Sequence, residues 1–107
     1  MNLQSAQISE AFQTFMTEAQ AHANAWATLC LELEQANALD QKTGELAYLA
    51  VLAALRLESG IPFHVKMAKK AGASREEVIS AILVGLPAAG HVVVQVLPAA
   101  VAAYDDG

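Results

Sequence analysis

The sequence contains one cysteine and few charged residues. Cys30 is the only cysteine among 107 residues, so one chain can form neither an internal disulfide nor a site with several thiolate ligands. We expect Cys30 to be a small buried apolar residue. The chain has six Lys and Arg residues and eleven Asp and Glu residues, which gives a formal charge of -5 and a pI near 5.0. Nucleic acids and anionic membranes require clustered cations, so we expect neither as a partner.

Charge is absent altogether from the stretch Val78–Tyr104, which is long enough to span a bilayer. Pro87 and Pro98 break it into shorter pieces, and its immediate flanks, Glu76–Glu77 and Asp105–Asp106, are acidic and supply no positive anchor. Overall 55% of the residues are apolar, and a domain this small buries only about two thirds of its unfolded surface. We therefore interpret the apolar excess as surface buried in a homo-oligomer.

The spacing of apolar residues predicts an all-α fold of about five to six helices, forming one domain over residues 1–107. The predicted segments run from about Ser9 to Glu34, as one long helix or two short ones, then Gln41 to Leu57, Pro62 to Ala71, Ser74 to about Leu86, and Ala88 to Tyr104. Val92–Val94 would suit a strand by propensity, but no partner strand is evident, so we predict helix there. The first residues, Met1–Ser5, lack the basic and apolar regions of an export signal. We therefore expect a cytoplasmic protein.

Several residues predict where the helices begin and end. Asp40 is a candidate N-cap, and Gly72 suits the left-handed position after a helix. Ser74 and Glu77 have the spacing of a capping box, in which each side chain bonds the other residue's backbone N–H. Gly85 and Gly90, with a proline between them, predict a break in the last helical stretch.

The candidate chemistry lies in the centre of the chain. Glu45 is followed by eleven residues and Leu57, then by two residues and Gly60, then by three residues and His64. This spacing, together with the sequences of residues 39–47 and 64–78, resembles that of the alkylhydroperoxidase D-like proteins of the carboxymuconolactone decarboxylase family. The pattern of those proteins is Glu, eleven residues, then Cys-x-x-Cys-x-x-x-His. The resemblance covers about Leu39 to Ala103. It implies a helical protomer, assembled into dimers, trimers or hexamers, with Glu45 and His64 in one cleft.

The sequence departs from that pattern at both cysteines, since Leu57 and Gly60 occupy their positions. A thiol peroxidase needs one thiolate to attack the peroxide and a second thiol to resolve the product, so this degenerate motif disfavours an antioxidant peroxidase. The decarboxylase branch, by resemblance, works through acid–base groups instead. We predict Glu45 and His64 as catalytic residues of a cofactor-free, lyase-like reaction on a small carbonyl or lactone compound.

The remaining candidates surround this pair. The predicted substrate-binding residues are Leu57, Gly60, Phe63 and His91, with Glu58 as a further acid. Tyr48 and Trp26 are predicted to be core or interface aromatics. His22 is predicted to be exposed, and the three histidines lack the spacing of metal ligands, so we expect neither a metal nor a cofactor.

One further hypothesis stays open beside the enzyme and the disfavoured peroxidase. The chain could be a non-catalytic oligomer that binds a small ligand in the same cleft. In that case Glu45 and His64 only satisfy each other's hydrogen bonds between two packed helices.

Overall fold

A computed structural model describes residues 9–107, so the expectation about Met1–Ser5 falls outside the described residues. The described chain is helical and contains no strand, which confirms the predicted all-α class. In chain order the elements are α1 (Glu10–Glu18), α2 (Gln20–Ala36), α3 (Gln41–Leu55), a 3-10 turn (Glu58–Gly60), α4 (Ile61–Lys70), α5 (Arg75–Leu83), α6 (Leu86–Ala89), a second 3-10 segment (Gly90–Val96) and α7 (Leu97–Asp105). Two compact units result, Met1–Asp40 and Gln41–Gly107.

The first unit contains the two short helices that the sequence left as one alternative. Helix α1 begins at Ser9, whose hydroxyl accepts a hydrogen bond from the backbone N–H of Phe12 at 3.1 Å. Trp26 of α2 meets the ring of Phe12 edge-on, with centroids 5.2 Å apart, yet it is 44% exposed. Cys30 is half-buried rather than buried, because most of α2 faces solvent in this unit.

The second unit holds the main core. Helix α3 packs against both α4 and α5, and α4 also packs against α7. The large side chains at the centre are fully buried, and they come from α3, α4, α5 and the second 3-10 segment: Leu49, Ile61, Val65, Val78, Ile82, Val93 and Val96. The second 3-10 segment supplies two of these side chains, Val93 and Val96. Because Val92–Val94 lie within this segment, the chain there is helical rather than extended.

The turn after α3 reverses the direction of the chain before α4 begins. The Leu57 N–H bonds the Leu52 carbonyl at 2.9 Å, and the Arg56 N–H bonds the Ala53 carbonyl at 3.1 Å. These two bonds form a Schellman ending, which stops α3 at Leu55, two residues before the predicted end. Arg56 occupies the left-handed position with φ of 56°, a place that usually takes glycine.

A second Schellman ending follows α4 and confirms the prediction for Gly72, whose φ is 100°. The Ala73 N–H bonds the Ala68 carbonyl at 2.9 Å. The predicted capping box is also present, with Ser74 and Glu77 bonding each other's backbone N–H at 2.8 and 3.1 Å. These ends fix the turn between α4 and α5.

The stretch Arg75–Asp105 is long and apolar enough to cross a membrane by length and composition alone. It is not one continuous helix, because α5 ends at Leu83 and Gly90 adopts φ of 80°. Ile82 and Val96 within it are fully buried in the core of the second unit. The predicted break at Gly85–Gly90 is therefore confirmed, and part of this stretch belongs to the core while Val84 and Leu86 are exposed.

Candidate functional site

Glu45 and His64, separated by 19 positions in the chain, are hydrogen-bonded to each other. The Nδ1 atom of His64 lies 2.9 Å from Oε2 of Glu45. Neither side chain is fully buried, since 25% of His64 and 19% of Glu45 remain exposed. The structure thus brings together the two residues that the sequence predicted as catalytic, at a place that solvent can reach.

The helical turn between α3 and α4 positions this pair. Helix α3 carries Glu45 in its second turn, and the short connection through Gly60 sends the chain back along α3. Pro62 lies in the first turn of α4, where its missing N–H costs nothing. His64 follows at the end of that turn, facing the helix that holds Glu45.

Two aromatic rings flank the imidazole. The Tyr48 ring centroid lies 4.4 Å from that of His64, at an interplanar angle of 46°. The Phe63 ring meets His64 edge-on, with centroids 5.2 Å apart. Tyr48 comes from α3 and Phe63 from α4, so side chains of both helices restrict the plane of the imidazole.

Sequence reasoning treated Tyr48 as a core or interface aromatic and so missed its contact with the pair. The signal available was its position, one helical turn after Glu45, where two side chains share a face. Tyr48 is 47% exposed, so it does not belong to the core of this unit.

Leu57 and Gly60 lie at the two ends of the 3-10 turn before α4. The Gly60 N–H bonds the Leu57 carbonyl at 3.1 Å, and a Cβ at Gly60 would lie 3.4 Å from a methyl of Leu52. Gly60 is therefore packed against α3, whereas the Leu57 side chain is 50% exposed.

Two other predicted residues have no described contact with the pair. His91 is exposed and lies in the 3-10 segment Gly90–Val96, while Glu58 is exposed in the turn before α4. Within residues 9–107, no hydrogen bond or ring contact links either one to Glu45 or His64. His22 is exposed on α2, as predicted. In the same range, no group of three His, Cys, Asp or Glu side chains could hold a metal ion.

An open groove lies on a different side of α3. Its walls are α3 and α5, its floor is formed by small and apolar side chains such as Leu46, Ala50 and Ala81, and Lys42 lies among its polar lining residues. Lys42 forms a 3.0 Å ion pair with Glu77 there. Glu45 and His64 do not line this groove, so the hydrogen-bonded pair, and not this groove, defines the candidate site.

Comparison with known proteins points to one family. A sequence model described as Carboxymuconolactone decarboxylase family matches residues 20–103. No curated protein matches the chain, and no solved structure does. The match covers α2 to α7 and includes both Glu45 and His64.

Proposed function

Because the chain belongs to the carboxymuconolactone decarboxylase family, we propose that Glu45 and His64 form an acid–base pair acting on a small carbonyl or lactone compound. The observation that carries this proposal is the 2.9 Å bond between His64 Nδ1 and Glu45 Oε2. A neutral imidazole donates its Nδ1–H to that carboxylate. The other nitrogen, Nε2, is then the one with a lone pair.

A base of this kind suits two related reactions. His64 Nε2 removes a proton from the carbon next to a carbonyl, and the electron pair moves onto the carbonyl oxygen as an enolate forms. In a decarboxylation the C–C bond to the leaving carboxylate supplies that electron pair and CO2 departs. His64, first protonated at Nε2 by solvent, then delivers that proton to the carbon and becomes neutral again. Glu45 keeps the imidazole in one tautomer and stabilises its cationic form.

The partial exposure of the pair supports a working site. Water can reach side chains that are 19% and 25% exposed, so the two groups do not need each other merely to avoid unsatisfied burial. No fully buried polar side chain occurs among the described residues. The pair is placed where a substrate can meet it.

Decarboxylation of carboxymuconolactone, with CO2 release as the readout, tests the proposal, alongside deuterium incorporation into the product in D2O. We expect turnover by the native chain, a loss of roughly 10²- to 10⁴-fold in His64→Phe, and a smaller loss in Glu45→Gln. His22→Phe is the matched control, since it removes an exposed histidine of the other unit and should leave turnover unchanged. No CO2 release and no deuterium incorporation by the native chain would reject acid–base catalysis on this substrate.

A dithiol peroxidase is the disfavoured alternative. Leu57 and Gly60 offer no thiol in the turn before His64, and Cys30 lies in the other compact unit. Peroxide consumption with a dithiol reductant should therefore stay at the uncatalysed rate. Consumption that disappears in Cys30→Ser would favour the peroxidase instead.

We also propose that the chain works as a cytoplasmic homo-oligomer. Many large apolar side chains away from the Glu45–His64 pair are at least 38% exposed, in both units: Met16, Trp26, Leu29, Leu31, Leu33, Leu39, Val51, Leu55, Val84 and Leu86. Self-association would remove this surface from water, at a gain of about 25 cal/mol per Å².

A further inference from the structure

We propose that the phenol hydroxyl of Tyr48 is a catalytic group, which donates a hydrogen bond to the carbonyl oxygen of the substrate while His64 handles the proton. This inference rests on the proposed function and adds a residue to it. The chemistry requires such a donor, because both reactions above place negative charge on the carbonyl oxygen. A donor aimed at that oxygen typically contributes about 10²- to 10³-fold to the rate.

The position of Tyr48 is the first support. It follows Glu45 by one turn of α3, and its ring lies over the imidazole with centroids 4.4 Å apart. Nearly half of the residue is exposed, at 47%. The Tyr48 side chain therefore both contacts the imidazole and is open to solvent.

The state of its hydroxyl is the second support. Across residues 9–107, no backbone or side-chain group forms a hydrogen bond with the Tyr48 hydroxyl. The other tyrosine differs, because the Tyr104 hydroxyl donates to the Ala73 carbonyl at 2.9 Å, and Lys69 lies 4.6 Å from its ring centroid. Tyr104 holds the end of α7 in place, whereas the Tyr48 hydroxyl has no such partner within the part of the chain that the structure describes.

The cations of the second unit are the third support, since most of them are already engaged. Lys42 pairs with Glu77, Lys66 with Asp106 and Arg75 with Asp105. Lys69 donates to the Tyr104 carbonyl at 2.8 Å. None of these four groups contacts Glu45 or His64 in the described chain, whereas the Tyr48 ring does contact the imidazole.

The matched variants are Tyr48→Phe and Tyr104→Phe, assayed with carboxymuconolactone. Tyr48→Phe keeps the ring over His64 and removes only an unbonded hydroxyl, so its melting temperature should equal that of the native chain. Its kcat should fall by roughly 10²-fold, with the acidic limb of the pH–rate profile unmoved because Glu45 and His64 are intact. Tyr104→Phe loses a structural bond, so it should melt earlier and keep its kcat.

The outcomes separate this inference from the proposed function. Native turnover with an unchanged kcat in Tyr48→Phe would overturn the role of Tyr48 alone. A loss of kcat together with a shifted acidic limb would mean that Tyr48 acts by positioning His64, which also contradicts a donor to substrate. Absence of native turnover would overturn both the proposed reaction and the role of Tyr48 in it.

Discussion

The Nδ1 atom of His64 and the Oε2 atom of Glu45 are 2.9 Å apart, across 19 residues of chain. One nitrogen of the imidazole is thereby committed to a carboxylate, and Tyr48 and Phe63 restrict the plane of the ring. The same arrangement orients histidine bases in unrelated enzymes, where a carboxylate fixes the tautomer. The proposed acid–base function depends on this one bond more than on any other contact.

Replacing Arg56 by glycine should stabilise the protein. Arg56 is exposed and adopts φ of 56° at the end of α3, a conformation that costs an L-residue roughly 1–2 kcal/mol. Part of that gain is offset by the greater freedom of glycine in the unfolded chain. We expect a net increase of about 0.5–1 kcal/mol in the free energy of unfolding, measured by urea titration.

Arg56→Ala is the control for this prediction, because it removes the guanidinium and keeps a Cβ in the left-handed conformation. It should match the native chain to within about 0.5 kcal/mol. Equal stabilities for the glycine and alanine variants would show that the backbone at this turn carries no strain.

The end of α7 should loosen in acid. Arg75 donates to both carboxylate oxygens of Asp105, at 3.0 and 3.2 Å, and this hydrogen bond lowers the pKa of Asp105. Bonds from Ser74 and then Lys42 likewise lower the pKa of Glu77. A lowered carboxyl pKa in the folded state contributes stability above the unfolded-state pKa of about 4, and this contribution is lost as pH falls below it.

Thermal unfolding of the native chain and Asp105→Asn from pH 7 to pH 2 measures this effect. Asp105→Asn should melt earlier at neutral pH, and the two curves should converge below about pH 4. A difference in melting temperature that persists unchanged at pH 2 would mean that the charge of Asp105 is not what stabilises the end of α7.

Sedimentation velocity at micromolar concentration should show a homo-oligomer. Leu55 is 63% exposed on α3, and adding a charge there by Leu55→Glu should weaken association if this helix takes part. Gln41→Glu adds the same charge at an exposed polar position of the same helix and should leave association unchanged. A monodisperse native monomer would contradict the proposed assembly.

Much of this fold could be predicted from local chemistry. The capping box at Ser74, the left-handed Gly72 and the break near Gly90 each depend on residues close together in the chain, so the sequence was sufficient to find them. The end of α3 was predicted two residues late, because Arg56 gives no sequence signal of a left-handed turn. Sequence patterns favour glycine at such a position.

The site was predictable only in part. The resemblance pointed to Glu45 and His64, and their pairing is present in the structure. Helical spacing places Tyr48 on the same face of α3 as Glu45, but its contact with His64 also depends on how α3 and α4 cross. His91 was predicted as a site residue from its place beside Gly90. Whether it reaches the pair depends on long-range packing, which a local pattern does not contain. In the described chain His91 is exposed and has no contact with Glu45 or His64.

The change in the free energy of unfolding when the pair is removed distinguishes a structural role from a functional one. Since both side chains are partly exposed, Glu45→Gln and His64→Phe should each change the free energy of unfolding by no more than about 1 kcal/mol. The double variant should show a small coupling energy, under about 1 kcal/mol. Single losses near 3 kcal/mol, recovered in part by the double variant, would indicate that the pair serves mainly to hold α3 against α4.

The most direct measurement is the protonation of the two ring nitrogens of His64, read from ¹H–¹⁵N NMR spectra at a pH where the ring is neutral. Comparison with His64→Phe assigns the signals among the three histidines. The account predicts a proton on Nδ1 and a lone pair on Nε2, with this preference lost in Glu45→Leu. A neutral His64 that carries its proton on Nε2 in the native chain would contradict it, because the nitrogen proposed as the base would then have no lone pair to accept a proton.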